Sequence, residues 1–184
     1  MCLPGDGWIV CLSVDYFLIS SNTKSQISNS KTAMGIEKDI QQEAFRNEYQ
    51  KATVNIIFSA NWLNEKIKQF LDADDITSQQ FNILRILRGS KKPMSTLQIR
   101  ERMLDKMSDT SRIVERLLRK GLVDKKVCTA DKRLVDVVIS RKGLQLLEKL
   151  DARVHELDKL VYNLTTEEAN TLNNLLDKLR GTAE

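Results

Sequence analysis

Between Ser108 and Arg133 the chain sets polar and cationic side chains at spacings suited to one kind of chemistry, the non-covalent capture of a polyanion. Ser108, Asp109, Ser111, Arg112 and Arg116 fall within one helical run, and Asp131, Lys132 and Arg133 follow at a turn. A guanidinium such as that of Arg112 can bond bidentately to guanine O6 and N7, and a hydroxyl such as that of Ser111 can serve a base or a phosphate. Arg116 and Arg119 are suited either to phosphate contact or to pairing with Glu115. Covalent chemistry lacks its parts. No Gly-rich phosphate loop, H-E-x-x-H or G-x-S-x-G occurs, His155 is the single histidine, and Cys2, Cys11 and Cys128 have no metal-ligand spacing. No enzyme, cofactor or metal site is expected, and His155 reads as a helix-surface residue.

Two elements must position these side chains. From Ser108 to Lys120 the apolar residues Ile113, Val114, Leu117 and Leu118 share one side of a helix, and Ser108, Arg112, Glu115, Arg116 and Arg119 share the other. Thr110 falls on the inward side. Ser108 or Asp109 can cap the first free N–H groups, and Gly121 stands where a helix stop needs positive φ. About twelve residues make a basic rod of roughly 18 Å, a size that fits a DNA major groove. After Gly121 the period becomes two: Val123, Lys125 and Val127 alternate with polar neighbours, and Val135, Val137 and Ile139 line a second run. The connection from Thr129 to Arg133 is a charged hairpin tip, so the pattern is that of a winged helix-turn-helix.

These residues resemble a known family. The runs Ser111-Arg112-Ile113-Val114-Glu115-Arg116-Leu117, Lys120-Gly121-Leu122-Val123, Asp131-Lys132-Arg133 and Ser140-Arg141-Lys142-Gly143 resemble the recognition helix and wing of MarR family transcriptional regulators. The spacing D-x-R-x6-[ST]-x-x-G is the family's pattern, and the resemblance covers Ile36 to Leu179; Leu118 departs from the charged residue usual at its position. The resemblance implies that Asp131 buttresses Arg133 as it enters a minor groove. It also implies a homodimeric repressor on a pseudo-palindromic operator, released when a small, often aromatic, effector binds between the DNA-binding and dimerisation regions.

Charge supports a polyanion partner. The net charge of +4 hides an asymmetry, because residues 85–142 hold 17 basic and 7 acidic side chains and the remainder holds 12 and 18. Few aromatics, two prolines and seven glycines favour a mostly helical chain. Three widely separated cysteines argue against a disulfide framework and for the reducing cytoplasm.

Along the chain, Trp8 to Ile19 is too short an apolar run to span a bilayer and lacks a signal peptide's positive start, and Ser20 to Thr32 is linker-like. Residues 1–33 are expected to be a poorly ordered extension, or outside the native protein, with Met34 as the start. Residues 34–75 should then form one long helix, in which Ile36, Ile40, Phe45, Tyr49, Ala52, Ile56, Ala60, Leu63, Ile67 and Phe70 keep a helical period. Such a helix needs a second subunit to cover it. Residues 76–143 should carry the DNA-binding domain: a helix capped by Thr77 with Phe81, Leu84 and Leu87 inward, and a short one capped by Ser95 and marked by Leu97, Ile99, Met103 and Leu104. The turn, the basic helix and the wing complete it. Residues 144–184 should form dimerisation helices, with Leu147, Leu150, Val154, Leu157, Val161 and Leu164 as a seam of coiled-coil type. Thr165 or Thr166 should cap a last helix presenting Leu172, Leu175, Leu176 and Leu179.

The expected fold is therefore mostly α with a small β-hairpin wing, a winged helix-turn-helix joined to a helical dimerisation domain. Dimer contacts are expected from Ile36, Ile40, Leu147, Leu150, Val154, Leu157, Val161, Leu172 and Leu175, and the partners are double-stranded DNA, a second copy and the implied effector, with no membrane. A winged-helix protein-interaction module without DNA affinity is the rival; the basic asymmetry and Arg133 favour DNA.

Overall fold

The computed structural model describes residues 35–90, 92–127 and 135–181. The chain divides into two units, Met1–Phe45 and Arg46–Glu184.

In the first unit, α1 (Ile36–Asp39) is a single turn. Beyond it Gln41 takes φ 54°, in the left-handed region, and helix does not resume before α2 (Glu48–Asp72). The single helix expected from Ile36 is thus two. A caps signal decides where the second begins: the Asn47 side chain accepts from Gln50 N at 2.9 Å, and Arg46 N donates to Gln50 Oε1 at 2.6 Å. Ile36 is buried, so it offers no free face to a partner.

The second unit starts with α2, 25 residues long, whose buried residues are Phe70 and Leu71 at its C-terminal end. Next come α3 (Ser78–Ser90), α4 (Thr96–Arg102) and α5 (Thr110–Arg119). Local caps explain their starts. Thr77 Oγ1 accepts from Gln80 N and Gln80 Oε1 accepts from Thr77 N, and Ser95 and Gln98 form the same reciprocal pair before α4. The wing strands β1 (Val123–Val127) and β2 (Val135–Ile139) pair antiparallel, Val123 opposite Ile139 and Val127 opposite Val135. Met94 adds a short third rung, exchanging backbone hydrogen bonds of 3.0 and 2.8 Å with Val137.

α3 is the central member, packed against α2, α4, α5, α6 (Arg141–Asp151) and β2. Its Ile83, Leu84 and Leu87 meet Leu71, Ile99, Met103, Val114, Leu117, Val137, Leu147 and Leu150 in one core. Replacing a residue such as Leu117 by alanine should cost about 2–5 kcal/mol. This core runs past both expected limits of the winged module, from Phe70 in α2 to Leu150 in α6. Leu97 and Leu104, expected to mark α4, are exposed.

The expected coiled-coil seam is corrected. α6 stops at Asp151, a turn follows, and α7 (His155–Asp158) runs into a 3₁₀ turn, Lys159–Val161, before α8 (Thr166–Leu179). Leu147 and Leu150 are buried in their own chain's core and have no surface left for a second subunit. Leu157 packs partly on the same core, while Val161 and Leu164 are exposed. A spacing of three and four residues survives a break in the helix, which is why the seam read as continuous. α8 carries a Thr165–Glu168 capping box and buries no residue; Leu172, Leu175 and Leu179 stand in solvent.

Candidate nucleic-acid interface

The basic helix is mounted by its apolar side. Val114 and Leu117 are buried, Ile113 and Leu118 pack partly against the same core, and Thr110 points inward as its place on the helical wheel requires. Its hydroxyl oxygen is buried with no hydrogen-bond partner. What remains outward is Ser111, Arg112, Glu115, Arg116 and Arg119.

Asp109, not Ser108, is the N-cap: its Oδ1 accepts from Arg112 N at 3.1 Å. Its other oxygen meets Arg112 Nε at 3.1 Å, so one carboxylate starts the helix and steadies the guanidinium above it. Ser108 is half-buried, and its hydroxyl donates to Asp105 O at 2.8 Å within the turn, which makes it a scaffold for the turn. Ser111 is exposed one residue before Arg112. Glu115 is taken by Lys125 of β1 at 2.7 Å, an exposed pair worth about 0.2–1 kcal/mol that links helix to wing. Arg116 and Arg119 point outward from the same helix.

The helix ends at Gly121, φ 69°, and the chain turns directly into β1. Ser140 and Gly143 explain the last part of the sequence motif. Ser140 Oγ donates to Gly121 O at 2.7 Å and accepts from Gly143 N at 3.0 Å, so one hydroxyl fastens the end of α5 to the start of α6. At Gly143 a Cβ would lie 2.2 Å from Leu122 O and 2.8 Å from Ile139 Cγ1, so only glycine allows α6 this close to the wing's base. The wing-tip candidates Asp131, Lys132 and Arg133, like Cys128, lie outside the described residues.

Two features of the unit escaped the sequence reading. Asp74 has its side chain buried; Oδ1 accepts from Lys149 Nζ at 2.6 Å and Oδ2 lies 3.8 Å from Arg153 Nη1. Arg153 also sits over the Phe70 ring, 4.9 Å from its centroid, and pairs with Glu156 at 3.0 Å. On the other side, Arg88 of α3 makes a two-point pair with Asp151 of α6; its hydrogen bond, the largest cause, lowers the Asp151 pKa. The second feature is a cleft of about 830 Å³ between α2, α3 and the turn after α4, whose lining includes Asn61, Asn64, Phe81, Arg85, Met103 and Leu157. Arg85 stacks at 5.6 Å from the Phe81 ring centroid. No sequence motif signals either feature, because each joins segments far apart in the chain.

Residues 76–135 match the model of the MarR family. Over 75 residues the chain is 36% identical to the HTH-type transcriptional regulator BilQ of Clostridium symbiosum (strain WAL-14163), a match covering 40% of this chain and 52% of that one. The match thus spans about half the length of that curated relative. Among solved structures, a mutant MarR from E. coli complexed with operator DNA superposes with a TM-score of 0.65 at 26% identity, covering 74% of this chain and 99% of that one. Through its winged module the chain resembles the MarR family. A MarR-like transcription regulator from Bacillus cereus ATCC 10987 shares the fold with a TM-score of 0.66 at 22% identity, covering 74% and 99% of the two chains. Against the MarR fold, α3 to α6 and the hairpin of this chain form the winged helix-turn-helix. The family consists of transcription regulators, not enzymes. Among the described residues no helix is long and apolar enough to cross a membrane.

Proposed function

We propose that this chain is a MarR family regulator, a homodimeric, sequence-specific DNA-binding repressor of the cytoplasm. The observation that carries the reading is α5: its apolar side is locked in the core while Ser111, Arg112, Arg116 and Arg119 face outward in one row. Such a helix can enter a major groove with its N-terminal turn against base edges. Arg112 reads a base, steadied by Asp109; Arg116 and Arg119 bond phosphates; Ser108 sets the turn. Asp131, Lys132 and Arg133 at the wing reach an adjacent minor groove, where the code is degenerate and negative potential attracts cations. The operator complex of E. coli MarR supports this reading.

Dimerisation uses the apolar side chains left in solvent, Ile56, Ile57 and Trp62 of α2 and Leu172, Leu175 and Leu179 of α8, together with Val161. The cleft beside Phe81 and Arg85 receives a small aromatic anion and resets the spacing of the two recognition helices, which lowers operator affinity.

The test is binding to a selected operator and to scrambled duplex across a salt series, with the native chain, Arg112→Ala and Arg133→Ala. Arg112→Ala should lose about 1–3 kcal/mol on the operator and relax preference at one base position per half-site. Arg133→Ala should weaken both duplexes and reduce the salt slope by about one per site. A native chain without salt-dependent binding to any duplex would overturn the DNA reading and favour a protein-interaction module.

A further inference from the structure

Leu97 in α4 and Met107 in the turn before α5 are large apolar side chains that stand in water, 62% and 93% exposed. Singly, such residues are ordinary on a surface. These two, however, line the same groove, of about 360 Å³, together with Thr96, Arg100 and the stretch from Ser108 to Ser111. That stretch is the capped start of the recognition helix, where Ser111 is exposed and Arg112 follows.

The groove has a definite chemistry. Its cations are Arg100 within it and Arg112 beside it, and its one carboxylate, Asp109, is already engaged by Arg112 N and Nε. A cationic rim around two apolar side chains fits a surface that is anionic outside and offers small apolar groups within. The major groove of DNA is such a surface: phosphates flank it, and its apolar feature is the C5-methyl group of thymine.

We propose that Met107, with Leu97 beside it, is a specificity-determining contact for a thymine methyl group in each half-site, adjacent to the base read by Arg112. The inference rests on the DNA-binding reading above and adds a base preference to it. Met107 suits the role because an unbranched thioether chain adapts to the position of a methyl group. Removing a methyl from such a contact forfeits about fourfold in affinity, at about 0.8 kcal/mol per buried carbon group.

The test replaces each thymine of the selected operator, one at a time, by deoxyuridine, which keeps every hydrogen-bonding atom and lacks only the methyl. Affinities are measured for the full-length native chain, Met107→Ala and Leu97→Ala. The side chains are exposed, so neither variant should disturb the fold, which thermal unfolding checks. At one thymine per half-site the exchange should cost the native chain about fourfold and Met107→Ala less than twofold, with Leu97→Ala between them. If no thymine shows a methyl effect that disappears in Met107→Ala, the assignment is wrong. A uniform loss in Met107→Ala, equal for thymine and deoxyuridine operators, would also overturn it and make Met107 a sugar or backbone contact. A native chain that selects no sequence at all would bring down the DNA reading itself, an outcome distinct from both.

Discussion

A methyl group added at Gly143 would stand 2.2 Å from the Leu122 carbonyl oxygen, inside a contact that backbone and not a flexible side chain provides. Gly143→Ala should therefore cost about 1–3 kcal/mol by forcing α6 off the wing's base. Gly89 near the end of α3 is the control, since nothing lies within 4 Å of its added Cβ. Gly89→Ala should leave stability unchanged or raise it by up to about 1 kcal/mol. Urea unfolding of the full chain separates the two. The motif containing Gly143 was legible in the sequence, but its reason was not, because the carbonyl it accommodates belongs to a segment 21 residues earlier. Asp74 was less legible still: its partner Lys149 is 75 residues away, and an acidic run carries no sign of which member turns inward. Asp151 yields a pH prediction. Its pKa is lowered by the hydrogen bond from Arg88, so the stability it contributes is present above the ordinary aspartate value of about 3.9 and is lost as pH falls through the lowered one. The pair is partly exposed and worth less than about 1 kcal/mol. Asp151→Asn should lower the urea midpoint slightly at pH 7 and leave it near the native value at pH 2, the difference closing between these limits.

Among the helices, α5 was the most legible because ten residues of clear periodicity carried a cap at one end and a glycine at the other. α2 and the region after α6 were misjudged for a common reason. Hydrophobic spacing reports which residues share a face and is insensitive to a turn inserted between them, as at Gln41 and between Asp151 and His155. The break after α6 bears on how dimerisation is tested. Truncation after Gly143 would remove Leu147 and Leu150, which belong to the winged module's own core, and so would unfold the part meant to be tested. Leu172 and Leu175 are 44% and 60% exposed on a helix that buries nothing, and they offer a cleaner probe. Leu172→Glu with Leu175→Glu should yield a folded monomer by sedimentation, with thermal unfolding that no longer depends on protein concentration. A dimer that persists unchanged would remove α8 from the interface.

At the scale of the proposed dimer, two copies of α5 should meet half-sites about 10 to 10.5 bp apart on one face of the duplex. Inserting about 5 bp between them turns one half-site to the opposite face and should abolish most specific affinity in a gel-shift titration; unchanged binding would mean independent monomers. The architecture also gives α2 a mechanical character. Its 25 residues span about 37 Å, yet only its C-terminal turns are set in the core, through Phe70 and Leu71 with Ile67 packed partly beside them. A rod clamped at one end is a lever: a tilt of about 5° at Leu71 sweeps its far end through about 3 Å. The cleft lies against the C-terminal half of that rod, from Asn61 to Asp72, which includes the clamped end. An occupant that wedges the fulcrum by a fraction of an ångström would thus be felt, several times enlarged, at Tyr49.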